Sequence, residues 1–409
     1  FRGGFTREAA LEVAGASLVL LSALVAKSLL RRAEQVRFDL HELVRQYADG
    51  RLSLAQETTL VHDRHLTYYA RLASAAGAHL YGAEQATWLE RVESELGNLR
   101  AALAWAFQPP IEENAVRATR GLQAVVDLHR FWHGRGYLDE GCRWLERGLS
   151  VLPASAQRER GYACNVLGWL LYQQGELQRA RSLQQQSLAI FRTLDDPVGM
   201  ADALDVLGDI AWGAGEFAEA CGYYEEGLAI QRRLQNPTGI GLALYSLGRL
   251  HVDYGNPQSA KPLLNEALLL LRRAGDRRGV ALALHATGRA AFKQADATSA
   301  EALIGESLKL FGELGNKIDI AECLEELALL AHMGGEWPRA ATLLGAAQAL
   351  RRLTGVERSL DADQLAQLAQ AIAAAALTEH WQAGQSLDAA TAVAMALRQT
   401  VIPCLKPAG

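Results

Sequence analysis

Ten histidines, five cysteines and 46 carboxylates would suffice for acid–base, metal or thiol chemistry, provided that their spacing let them converge. The pairs His62/His65 and His129/His133 are spaced to share one face of a helix, where two imidazoles could hold a metal. Neither pair has an obvious cysteine or acidic third ligand, and the H-E-x-x-H pattern is missing, so these read as surface or core histidines and no metal site is expected. Cys142, Cys164, Cys221, Cys323 and Cys404 are odd in number, scattered and never in a C-x-x-C pair, which reads as reduced thiols in a cytoplasmic protein. No Ser-His-Asp or Cys-His constellation can be recognised, and acids such as Glu225-Glu226 and Glu325-Glu326 read as solvated helix faces. No catalytic residue is expected, and the chain is not read as an enzyme.

What must position any functional side chain is a repeat. Leu-Gly pairs at Leu167-Gly168, Leu207-Gly208 and Leu247-Gly248 continue as Thr287-Gly288 and Leu327-Ala328, forty residues apart. Gly175, Gly215, Gly255 and Gly335 follow in phase, with Ala295 as the exception, and Ala180, Ala220, Ala260, Ala300 and Ala340 complete the series. A fixed period of this length means stacked helical hairpins, an interaction surface before it is an enzyme. HEAT and armadillo repeats have lengths that bracket forty, but the internal spacing argues against them. Gly168 to Ala180 is twelve residues, as in the next three repeats. Each glycine inside a helix costs about 1 kcal/mol relative to alanine, tolerable only where close packing more than offsets it. This register resembles the tetratricopeptide repeat, in the long form found in sensor domains of MalT-like regulators. The resemblance implies an all-α, right-handed superhelix whose concave face is lined by the first helix of each pair.

In that register, positions two, five, nine and twelve of each repeat point into the concave groove. They are Tyr162, Asn165, Trp169 and Tyr172 in repeat one, and Asp202, Asp205, Asp209 and Trp212 in repeat two. Repeat three supplies Leu242, Tyr245, Arg249 and Val252, with Asp253 alongside; repeat four supplies Leu282, His285, Arg289 and Phe292, with Lys293 alongside. Repeat five opens with Glu322 and Glu325. Exposed aromatics beside charge blocks suit a peptide, protein or small polar effector, because aromatic and arginine anchors supply most binding energy. A solvated groove with its aromatics partly buried between repeats is the competing reading.

Composition bounds the rest. Half of the 409 residues are hydrophobic and 21% are charged, enough for a large core. A net charge of −5 argues against a general nucleic-acid binder. The longest apolar run, Ala16 to Ala26, is shorter than the roughly 20 residues a membrane span needs, so no membrane association is expected. Four regions are expected: a small domain over 1–52, a helical connector hairpin over 53–112, repeats over 113–355 that become regular from about 160, and a helical cap over 356–409. In the first, Thr6 reads as the N-cap of a helix from Arg7 to Ala14, and Ser17 to Lys27 as a second helix. A polar turn at Ala33 to Gln35 suggests a short β-hairpin, and helix resumes at His41. A break near Gly82 divides the connector, and Pro109-Pro110 ends it.

Helices followed by a short hairpin is the order of a winged-helix domain lacking its first helix. The stretches Phe1-Arg-Gly-Gly-Phe-Thr-Arg-Glu-Ala-Ala10 and Arg37-Phe-Asp-Leu-His-Glu-Leu-Val-Arg-Gln-Tyr-Ala48 resemble the winged helix of bacterial STAND regulators. These are signal-transduction ATPases with an NB-ARC-like core, related to AfsR- and LuxR-type transcription factors. Trp88 to Trp105 is similar to the helical unit that follows, and Ala341 to Leu350 with His380-Trp381 to the last repeat and end cap. By this resemblance Leu40-His41-Glu42 matches the Met-His-Asp motif, and His41 would contact the β-phosphate of ADP. The chain carries no G-x-x-x-x-G-K-[ST] loop, and a lone imidazole cannot hold a nucleotide that needs a nest of backbone N–H groups. ATP or ADP is therefore expected only in a longer parent, with no measurable ATP binding by this chain. Up to Leu52 there are eight Arg/Lys against six acids, and Ser17 to Ala26 has no base-reading side chain, so no direct nucleic-acid contact is expected. The chain starts at Phe1 and reads as a fragment: the sensing region of a regulator whose repeats take an effector and control its own ATPase domain. The alternative is a tetratricopeptide scaffold that assembles partners without a switch.

Overall fold

The computed structural model describes residues 1–33, 37–80, 84–109, 115–356 and 361–397. The expected turn residues Glu34 and Gln35, the break at Gly82, Pro110 and Cys404 lie outside them. The described chain is helical but for three short strands, and it divides into two compact units.

The first unit comprises residues 1–80, 87–130 and 143–163. Strand β1 (Phe5–Thr6) leads into α1 (Arg7–Ala14), whose N-terminus is capped by Thr6 Oγ1 accepting from the Ala9 N–H at 3.1 Å. Helix α2 (Leu18–Ala26), capped by Ser17, is followed by β2 (Leu30–Ala33) and β3 (Arg37–Leu40). The expected hairpin is present, and β1 extends it to a three-stranded antiparallel sheet of order β1-β3-β2, with Phe5 opposite Phe38. Helix α3 runs over Glu42–Leu54, beyond the Ala48 expected from sequence. After α4 (Thr58–His79) come α5 (Gln85–Ser94), α6 (Leu96–Ala106), α7 (Ala115–Asp127), α8 (His129–Gly134) and α9 (Leu138–Val151), and α4 packs against α1, α6 and α7. His62 meets the Trp105 ring edge-on and His65 is buried beside Tyr69, so this pair serves packing. Among the described residues no group of three His, Cys, Asp or Glu is placed to hold a metal ion, and no single helix is long and apolar enough to cross a membrane.

The second unit comprises residues 81–86, 131–142 and 164–409, described as far as 397. It is a tetratricopeptide-type superhelical stack. First helices begin forty residues apart: α10 (Gln157–Gln173), α12 (Pro197–Gly213), α14 (Pro237–Asp253), α16 (Arg277–Lys293) and α18 (Lys317–Met333). Their partners are α11 (Leu177–Thr193), α13 (Phe217–Arg233), α15 (Pro257–Ala274), α17 (Ala297–Leu314) and α19 (Trp337–Thr354). Each junction is written in the turn sequence. Asp196, Asn236, Asp276 and Asn316 cap the next helix by accepting from the N–H three residues on, and Pro197 and Pro237 occupy first-turn positions.

The Leu-Gly glycines make room for one particular side chain. A Cβ on Gly208 would fall 2.6 Å from Tyr224 Cδ1, one on Gly248 2.6 Å from Leu264 Cδ2, and one on Gly288 2.7 Å from Ile304 Cγ1. The residue sixteen positions on therefore fills the hole, next to the alanine at twelve. Tyr224, Leu264 and Ile304 are almost wholly buried. The intra-hairpin glycines Gly175, Gly215, Gly255 and Gly335 all have φ near +80°, and Ala295 takes a left-handed φ of 61° where its repeat lacks the glycine.

After α19 the chain folds back as α20 (Ala362–Ala374), α21 (Thr378–Gln385) and α22 (Ala389–Ala396). Helix α21 packs closely on α19, while α22 packs against α17, α18 and α19.

Candidate functional site

The first helices of successive repeats touch one another, and their facing side chains form a charged and aromatic wall. At its centre Asp209 pairs with Arg249, one repeat further on. The guanidinium lies 4.3 Å from the Trp212 ring centroid and 5.4 Å from that of Tyr245, a cation enclosed by two π faces. Tyr224 reaches in from α13, its hydroxyl donating to Asp209 Oδ1 at 2.7 Å. Asp205, one turn up α12, accepts from Ser246 Oγ at 3.0 Å. Burial, then the nearby Asp209 charge, pushes the Asp205 carboxyl up to about 7. Burial also pushes the Tyr245 phenol up to about 12.

Ionising Asp205 near neutral pH thus runs against the preference of the fold. In the unfolded chain an aspartate titrates near 3.9. The folded state therefore binds more protons between about pH 4 and 7, and stability falls as pH rises through that window. Asp205→Asn keeps an acceptor for Ser246 and removes the repulsion. It is expected to stabilise the protein by about 2 kcal/mol at pH 8, a figure discounted for water at the wall, and to change little at pH 4. Urea unfolding at both pH values measures this; equal effects at the two would show that folding does not raise the Asp205 pKa.

A second cluster follows. Arg289, 4% exposed, bonds Glu326, Asp253 Oδ1 at 3.0 Å and Asp361 Oδ2 at 2.9 Å. His285 Nε2 lies 2.9 Å from Glu326 Oε2, and Lys293 Nζ 3.5 Å from Asp253. Burial alone would keep His285 neutral, but Glu326 reverses this and raises its pKa; Glu326 is in turn held low by His285 and Arg289 despite its burial. Beyond it Arg351 makes a two-pronged contact with Glu325, at 3.0 and 2.8 Å, and Arg278 meets Asp319 at 3.3 Å.

The structure therefore brings together Asp205, Asp209, Trp212, Tyr245 and Arg249 in one cluster and His285 and Arg289 in another. The exposure expected for these side chains is a correction: Tyr172, Trp212, Tyr245, His285 and Arg289 are all buried. The wall is narrow enough for charges and rings to cover one another. Asn165 belongs to its own hairpin, exchanging hydrogen bonds with Gln184 across α10 and α11. Phe292 packs against the core of the last repeats. Tyr162 and Trp169 are half-buried, with Trp169 against the His133 ring at 4.8 Å. The acids Glu325 and Glu326, read as solvated, are buried in ion pairs. Sequence reasoning missed Tyr224 and Asp361. The signal for Tyr224 was its place sixteen residues after Gly208; Asp361 stood outside the period and carried none. His41 is exposed at the N-cap of α3, where its Nδ1 accepts from the Leu43 N–H at 3.4 Å.

Fold and period together define a tetratricopeptide-repeat structure. Residues 161–194 and 199–273 match the tetratricopeptide repeat family. Half of the chain is 32% identical over 222 residues to candidate HTH-type transcriptional regulators of Mycobacterium tuberculosis and Mycobacterium bovis, and spans about a quarter (24%) of their length. Among solved structures, a Rap protein complexed with Competence and Sporulation Factor aligns with a TM-score of 0.52 and 13% identity, over 83% of this chain and 96% of that one. A Signal Transduction ATPase with Numerous Domains (STAND) protein with a tetratricopeptide repeat sensor, from Pyrococcus horikoshii, aligns at 0.43 and 15% identity, over 93% of this chain and 63% of that one.

Proposed function

We propose that this chain is the sensing and partner-binding region of a STAND-type transcriptional regulator. Its repeats take an effector and bias a nucleotide switch carried elsewhere in a longer polypeptide. The observation that carries this reading is the inner wall, where Arg249 is enclosed by Trp212 and Tyr245 beside a carboxylate, Asp205, whose charge costs stability at neutral pH. Costly buried charge concentrates at functional sites. The regulator relatives support the transcriptional context. The STAND assignment rests on the Leu40-His41-Glu42 resemblance, which would bring His41 to a bound ADP in the parent. The chain's own role is non-catalytic, with an extended peptide or small polar molecule as effector and neither nucleic acid nor membrane in direct contact. An effector shifts such a switch only by its differential affinity for two states of the stack.

Panning the chain against a short-peptide library, then titrating the hits against alanine variants at Trp169, Trp212 and Arg249, tests the wall. Loss of about thirtyfold or more in affinity is expected at the anchor positions. Hits that bind all three variants unchanged, with helicity intact, would remove the wall as the effector site.

A further inference from the structure

Three successive inter-repeat turns of the second unit each receive a side chain or a turn from much earlier in the sequence. Gln85 is 2% exposed; its Nε2 donates to Asp276 Oδ1 at 2.9 Å and its Oε1 accepts from the Arg278 N–H at 3.1 Å. Asp276 is itself fully buried and caps α16 through the Gly279 N–H. One repeat further on, the Arg135 guanidinium occupies the space where a side chain on Gly315 would stand, and Gly134 faces Asn316. One repeat beyond that, Gly136, at φ 78°, lies against Thr354, whose Cγ2 would be 3.0 Å from a Cβ on that glycine. Gln85 and the Gly134–Gly136 turn thus close onto the edge formed by the turns at 276, 316 and 354.

An open helical stack flexes because each repeat touches only its neighbours. Here residues more than 170 positions apart are joined at that edge, so curvature cannot change without parting the joint. Gln85 is the polar part of the joint: both ends of its amide are used and water is excluded, so parting it exposes the Arg278 N–H and removes a partner from Asp276. The Gly134–Gly136 turn is the steric part: a side chain at Gly136 would be strained at that φ and would press on Thr354.

We propose that Gln85 and the Gly134–Gly136 turn form a clasp that holds the repeat stack closed. Gln85 is the residue by which a change in stack curvature passes into the chain at 84–86. This deepens the sensing role proposed above, but its test needs no effector, so the two can fail separately.

The test is hydrogen exchange, read by mass spectrometry on the whole chain, of Gln85→Ala and Gly136→Val. In Gln85→Ala the Arg278 amide is expected to exchange about tenfold faster, and the amides of Gly136 and Tyr137, at the other end of the clasp, several-fold faster. Gly136→Val is expected to do the converse, speeding the Arg278 amide. The double variant should go no further than the faster single, and small-angle scattering should show a larger radius of gyration for each. Faster exchange confined to Arg278 and Gly279 in Gln85→Ala, at unchanged radius, would mean a local helix cap and overturn the clasp. Should Gly136→Val lose helicity, the Gln85→Ala pattern decides alone.

Discussion

Arg289→Met is expected to destabilise the repeat stack by about 3–5 kcal/mol at pH 7, measured by urea unfolding. Methionine nearly replaces the lost volume, so the loss reports charge. Glu326, Asp253 and Asp361 would remain with only Lys293 and His285 to answer them, in a place water scarcely reaches. The deficit should shrink as pH falls. Glu326 is held below its ordinary range, so its contribution is present above an unfolded value near 4.3 and is lost as pH falls through the lower folded value. His285 has the opposite sign: its pKa is raised, so its contribution is full below about 6.5 and is lost as pH rises through the folded value. The cluster is therefore strongest between those limits. A loss under about 1 kcal/mol at pH 7 would mean that the carboxylates find water or protons and that Arg289 is not their counter-charge.

The second large effect is steric. Helices α19 and α21 approach backbone to backbone. A Cβ on Gly345 would overlap the Trp381 carbonyl oxygen, and one on Gly384 the Thr342 carbonyl oxygen. Neither obstacle is a flexible side chain, so Gly345→Val can be accommodated only by moving a helix. It is expected to cost about 3 kcal/mol and to undock α20 to α22. Hydrogen exchange over 362–397 should then rise while the first three repeats stay protected. Unchanged protection there would show that the helices separate without loss. Because Asp361 opens this cap and bonds Arg289, undocking should also weaken the second charge cluster.

Much of the architecture could be read from the chain because it is repeated. Helix starts at 197, 237, 277 and 317 follow from turn chemistry that recurs with them, and the caps at Asp196, Asn236, Asp276 and Asn316 are local events between near neighbours. Thr6 was legible as a cap for the same reason, while the cap at Ser17 came from the structure. Strand β1 was not, since two residues have no period and become a strand only by pairing with β3. The candidate site was legible by position and not by environment. The register placed Asp209, Trp212, Tyr245 and Arg249 on one face, but not that they would bury one another.

The period of forty and the small residues that let the two helices of a hairpin approach were settled by the sequence alone, because each depends on residues within a hairpin of each other. Which side chains close the wall, that Asp361 comes back to Arg289, and that Gln85 meets Asp276 were decided only in three dimensions. Those contacts join residues 72 and 191 positions apart. They exist because successive hairpins accumulate a rotation, and the sum of many small rotations is a property of the assembled stack that no local stretch of sequence contains.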